Sequence, residues 1–208
     1  MNLEKLKAEE SRFFLHYPGG FEDPSMKEIA KKHNIARTVA LVARELSPAA
    51  FDHPEQALET LGKVITRSSL VSVFEKTALR NHLKALPQAE GLMLAEAFRE
   101  LLHGDQETGF RQTVALLAPY KLAKWPLITC VMYYARPWQD IIVKPTTVKE
   151  VIAAFGLSEL VYPSRPDYGF YRGYREQFLA LKQAAGPGLQ VENGAFSGFL
   201  MFALGHFE

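Results

Sequence analysis

Cysteine is the scarcest residue of this 208-residue chain: there is one, Cys130. A single thiol closes no internal disulfide, so a disulfide-stapled fold is excluded and a reducing, cytoplasmic setting is expected. An excess of one charge is lacking too. Lys and Arg number 24 and Asp and Glu 23, giving a formal net charge of +1. The chain has no global field to draw nucleic acid or anionic surfaces, so any such attraction must be local. Apolar runs fall short of the roughly 20 residues that cross a bilayer. The first segment, Met1 to Glu10, is charged from Glu4 onward and has no apolar centre. Neither a membrane span nor a signal peptide is therefore expected, and the reading is of a soluble protein with no membrane partner.

Several catalytic devices are also missing. No Gly-x-Gly-x-x-Gly occurs, and Gly62-Lys63 lacks the upstream glycine of a phosphate loop, which argues against nucleotide chemistry through those elements. The six histidines, at 16, 33, 53, 82, 103 and 206, form no His-x-x-x-His pair, and Cys130 has no cysteine partner. No metal and no cofactor is expected from these patterns. Glu100-Leu-Leu-His103 has the spacing of a di-iron ligand pair, but such sites need a second copy and two further carboxylates. Gly194-Ala-Phe-Ser197-Gly198 misses the Gly-x-Ser-x-Gly spacing of a nucleophile elbow. Neither identifies an enzyme, so whether the protein is one stays open at this stage.

What is present is helical periodicity. Ala57, Leu58, Leu61, Val64 and Ile65 make one stripe, and Leu94, Phe98, Leu101 and Leu102 make another, each at spacings of three and four. Proline and glycine punctuate the pattern. Asp23-Pro24 reads as a helix start, Ser68 or Ser69 as another, Asp167 or Ser164 as a third, and Lys144-Pro145-Thr146-Thr147 as a capped start. Gly156 and Gly186-Pro187-Gly188 read as stops. Phe196 to Phe207 reads as a terminal helix. Trp125 to Tyr134 is apolar almost throughout, which suits a fully buried helix and a buried Cys130. The fold expected is all-α, an orthogonal multi-helix bundle of about ten short helices with at most a minor β element near residues 138–143. One helical domain spans 1–208, with a possible subdivision near residue 120.

Aromatic residues are not evenly spread. Seven of the eight tyrosines and both tryptophans lie between Tyr120 and Tyr174. Residues 120–175 carry eight Lys/Arg against four Asp/Glu, whereas the rest of the chain carries 16 against 19. Interleaved aromatic and basic residues suit stacking of bases and clamping of phosphates. Lys144 and Thr146 stand at a helix start, where free N–H groups favour anions. Arg172 and Arg175, one turn apart, are expected to share a face, with Arg165 nearby and Trp125 or Trp138 as an aromatic surface. The same tyrosine spacing also fits an ordinary core stripe through Tyr171, Tyr174 and Phe178.

Lys124-Trp125-Pro126-Leu127-Ile128-Thr129, Arg136-Pro137, Lys144-Pro145-Thr146 and the Tyr162-Pro163 to Pro166 connector with the aromatic helix after it resemble the C-terminal part of a group of uncharacterised bacterial proteins. The resemblance covers the last 80 residues, roughly. It implies a recurrent module and no chemistry. The functional expectation is a non-catalytic module that binds an anionic partner through residues 124–175, nucleic acid ahead of a phosphorylated ligand. The alternatives are an enzyme whose groups converge from distant helices and a protein–protein interaction module using the Tyr/Trp-rich face.

Overall fold

Turn chemistry cuts the chain into eleven α-helices among the described residues. The structure, a computed structural model, describes residues 1–206. The helices are α1 (Leu3–His16), α2 (Pro24–His33), α3 (Ile35–Glu45), α4 (Pro54–Arg67), α5 (Val73–Ala85), α6 (Gln88–His103), α7 (Gln106–Leu117), α8 (Trp125–Ala135), α9 (Pro145–Ala154), α10 (Tyr168–Ala184) and α11 (Asn193–Ala203). The expected terminal helix thus begins three residues early and ends at Ala203; its Phe207 lies outside the described residues.

Helix starts follow capping rules. Asp23 accepts from the Ser25 N–H, with Pro24 at the first helical position. Asp167 rather than Ser164 caps α10 by accepting from Phe170. Serines 68 and 69 do not open α5: Ser72 does, in a reciprocal box with Glu75, because Glu lies three residues after Ser72 and after neither of the others. α9 has Pro145 first, but no side chain caps it. Gly156 ends α9 at φ +65°, a backbone conformation that carries little penalty only without a Cβ.

α8 sits at the centre. Every residue from Trp125 to Tyr134 is buried, and α3, α4, α6 and α7 all pack against it. A helix apolar on all sides must be enclosed, which is how it differs from its amphipathic neighbours. α6 and α7 form a tight antiparallel pair around Gly104 and Asp105. A Cβ at Gly109 would collide with the Leu101 backbone, so glycine sets that close approach. α1 closes the other side against α10 and α11. Phe13 packs edge-on to Phe199 and Phe202 at 5.5 and 5.4 Å. Buried apolar side chains from Leu6 to Ala203 form one continuous cluster.

Residues 138–143 contain no strand. The β-favouring run Ile141-Ile142-Val143 is buried loop, and the N–H groups of Ile141 and Val143 are satisfied by side chains instead of a ladder. Tyr171 Oη accepts from the Ile141 N–H at 3.3 Å, and Thr129 Oγ1 from Val143 at 3.0 Å. Among the described residues no helix is long and apolar enough to cross a membrane.

Candidate functional site

The loop after α8 carries Asp140, which is fully buried. A buried carboxylate requires partners, and four helices supply them. Arg136 Nε, at the end of α8, donates to Oδ2 at 2.6 Å. Arg175 Nη1 and Tyr171 Oη, both on α10, donate to Oδ1 at 2.9 Å each. Gln106 Nε2, the first residue of α7, reaches both oxygens at 3.1 and 3.2 Å. Its own carbonyl accepts from Arg175 and from Tyr168 Oη. Asn193, at the start of α11, donates Nδ2 to the Asp140 carbonyl at 3.0 Å.

Two guanidiniums face one carboxylate in this hub. The excess positive charge is met by a helix end: Arg136 Nη1 and Nη2 donate to the Leu102 and Leu101 carbonyls, each at 3.3 Å. Those carbonyls are the negative pole of α6. Burial, with the Asp140 charge next, pushes the Tyr171 hydroxyl well above its ordinary pKa, so it stays protonated and donating. Each group in the hub is engaged internally. The arrangement ties α6, α7, α8, α10 and α11 together, and it offers no free acid–base pair to a substrate.

The predicted site residues separate accordingly. Arg175 turns inward to Asp140, whereas Arg172, three residues earlier, is exposed. The two do not share a working face, because the buried carboxylate captures one of them. Trp125 is 1% exposed and is not part of any aromatic surface. Its Nε1 donates to the Pro163 carbonyl at 3.0 Å, and its ring meets Phe170 edge-on at 5.5 Å. It pins the proline connector to the central helix. Trp138 is 60% exposed and lies over the Lys182 ammonium, 5.3 Å from ring centre to Nζ. Tyr133, Tyr134, Tyr168, Tyr171 and Tyr174 are all buried: the core reading of the tyrosine stripe applies.

Thr146 is exposed and Lys144 half-buried at the start of α9. His33 has its pKa lowered by burial first, then by the charges of Lys144 and Lys32. These cations therefore gather near one histidine. Arg165 is exposed on a shallow groove of about 480 Å³ whose other walls include Arg111, Pro163, Pro166 and Tyr168. Glu100 and His103 serve the chain itself. The first accepts from the Asp105 N–H at 2.7 Å, and His103 Nε2 meets the Leu46 carbonyl at 2.7 Å.

A second, larger groove of about 600 Å³ was not anticipated. α4 forms one wall; the second half of α5 and the start of α6 form the other. Leu58, Leu83, Leu86 and Leu92 supply apolar surface. Gly62 and Gly91 line it within helices, where glycine costs about 1 kcal/mol against alanine. Glu55 is held by Gln88 at 2.7 Å, and Glu59 by Lys63 at 2.7 Å. Arg80 and Lys84 are exposed on α5 with no ion-pair partner among the described residues. They are one turn apart, where like charges repel. The sequence signal was there: Lys76, Arg80 and Lys84 recur every four residues without an acid among them. A volume of this size is in the usual range of a ligand site, and charged and polar side chains rim its apolar surface.

In comparison with known proteins, no family model, no curated protein and no solved structure matches the chain. Among the described residues, no cluster of three or more His, Cys, Asp or Glu has an arrangement suited to a metal ion.

Proposed function

We propose that the protein is a non-catalytic binding module whose working surface is the groove between α4, α5 and the start of α6. Its partner brings apolar atoms to the leucine surface and negative charge to Arg80 and Lys84. The observation that carries this reading is the pair of unpaired, like-charged side chains standing over an apolar groove. Such an arrangement costs the free protein stability through repulsion and exposed apolar area, and an anionic amphiphile relieves both. The engagement of the Asp140 hub within the core supports a binding role over a catalytic one.

Anilinonaphthalene sulfonate, an apolar body with one anionic group, is the probe. Saturable fluorescence enhancement is expected, weakened about tenfold or more in an Arg80→Glu, Lys84→Glu double variant. Enhancement that is absent, or unchanged in the variant, overturns the reading.

A second reading keeps the anionic partner on residues 124–175, as nucleic acid or a phosphorylated ligand. Its support is the groove beside Arg165 and the gathering of Lys144 and Lys32 near His33. Arg172 and Thr146 are exposed, and Arg175 is held by Asp140. Single-stranded DNA and RNA titrated at low salt test it. Binding must fall steeply with salt and weaken in Arg165→Ala, Arg172→Ala.

A further inference from the structure

We infer that the occupant of the α4–α5 groove is an amphipathic helix of a partner protein, with carboxylates along one flank and a cation on the other. This rests on the groove being the working surface and adds the class of partner.

Three observations select a helix. The first is length. The α4 residues that line the groove run from Glu55 to Thr66, about 16 Å at 1.5 Å per residue. That is three turns, the span over which a docked helix presents apolar anchors at i, i+3 or i+4, and i+7. The second is the depth of the floor. Gly91 presents no side chain, and a Cβ there would come only to ordinary contact with Leu58, at 3.4 Å. It would also meet Leu86 at 3.9 Å, so the floor is bare backbone flanked by two leucines, against which a partner's apolar side chain can seat.

The third is charge, and it separates a helix from the other anions. Arg80 and Lys84 stand at i and i+4 on α5, and Glu55 and Glu59 at i and i+4 on α4. One wall is basic; the other carries Glu55 and Glu59 one turn apart, with Glu59 already paired to Lys63 and Glu55 held only by the uncharged Gln88. A partner helix repeats at the same spacing, so two carboxylates one turn apart meet both cations. Its opposite flank then carries a cation toward Glu55. A single-headed acyl anion satisfies one end of the basic wall only. A polyanion places phosphates against Glu55, and like charges at that range are disfavoured.

The test uses the full chain and three synthetic helical peptides of about 18 residues that share one leucine stripe. One has Glu pairs on one flank and Lys pairs on the other; the second has Glu on both flanks; the third has Lys on both. Binding is read by fluorescence anisotropy. The mixed peptide is expected to bind tightest. In Arg80→Glu, Lys84→Glu it should lose about tenfold or more, while the all-Lys peptide gains. Gly91→Leu, which fills the floor between Leu58 and Leu86 and leaves the charged side chains of both walls in place, should abolish binding of the mixed peptide while circular dichroism stays unchanged. Equal binding of all three peptides, or tightest binding of the all-Glu peptide, overturns the helix inference. If the sulfonate probe still binds and is lost in the Arg80/Lys84 variant, the groove reading survives that failure. If neither peptide nor probe binds, both fall.

Discussion

Arg175 donates to the buried Asp140 carboxylate at 2.9 Å, and this one bond separates it from Arg172, its neighbour one turn away. Helical spacing alone puts the two on adjacent positions of a surface. Electrostatics decides otherwise: an ionised carboxylate with no exposure must be neutralised where it lies. Arg175 is thereby a structural residue, and the predictions for it concern folding before binding.

Replacing Asp140 by Ala leaves Arg136 and Arg175 without their shared counter-charge. The expected loss is about 3–5 kcal/mol, the usual cost of removing one partner from a buried pair. Urea denaturation measures it. Arg175→Ala in the Asp140→Ala background should cost far less than in the wild type, since the two residues are coupled. Additive losses would show that the hub is not one unit.

Phe178 is 2% exposed and meets Phe196 edge-on at 5.2 Å. Phe178→Ala should destabilise by about 3–5 kcal/mol. A loss under about 1 kcal/mol would place that stripe outside the well-packed core.

The two tryptophans should respond differently to acrylamide. Trp138 is exposed and Trp125 buried, so quenching should have an accessible and a protected component. Trp138→Phe should remove the accessible one. A surviving accessible component would contradict the burial of Trp125.

Stability should fall at both ends of the pH range. His82 has its pKa lowered from 6.5, chiefly by burial, and its Nε2 has no hydrogen-bond partner. The unfolded chain therefore takes up a proton that the folded chain resists. This contribution is whole above pH 6.5 and is lost as pH falls below it. His33, shifted the same way, adds to the effect. His82→Phe should flatten the denaturation midpoint between about pH 6.5 and pH 5. At the alkaline end, burial raises Cys130 above 9.0, and raises Tyr174 and, with neighbouring groups, Tyr133 above 10.0. The unfolded chain ionises first, so stability should drop as pH rises above 9.0. Cys130, with no exposed surface, should react with thiol reagents only after denaturant is added. Rapid labelling of the native protein, or a stability flat from pH 9 to 11, would refute these assignments.

Much of the fold was legible because helix signals are local. Spacings of three and four, aspartate–proline starts and glycine stops act within one or two turns, so they are readable without knowing what lies across the core. The start of α5 was misplaced for a related reason: three serines compete within five residues, and only the reciprocal bond to Glu75 selects Ser72. The Ile141-Ile142-Val143 segment misled because β propensity reports a half-buried surface and not a strand as such; tertiary partners from Thr129 and Tyr171 met its backbone needs.

The sequence by itself determined the helices, their breaks and the enclosure of α8, since an apolar helix with no polar face has no other place to go. It also concentrated tyrosine and tryptophan after residue 119. Only the tertiary structure decided what those residues do. Asp140 gathers partners from residue 106 to residue 193, and no local pattern records such separations. Burial then turned the aromatic segment into core. The accessible groove arose where α4 meets α5 and the start of α6, a surface that exists only once separate helices have been brought side by side.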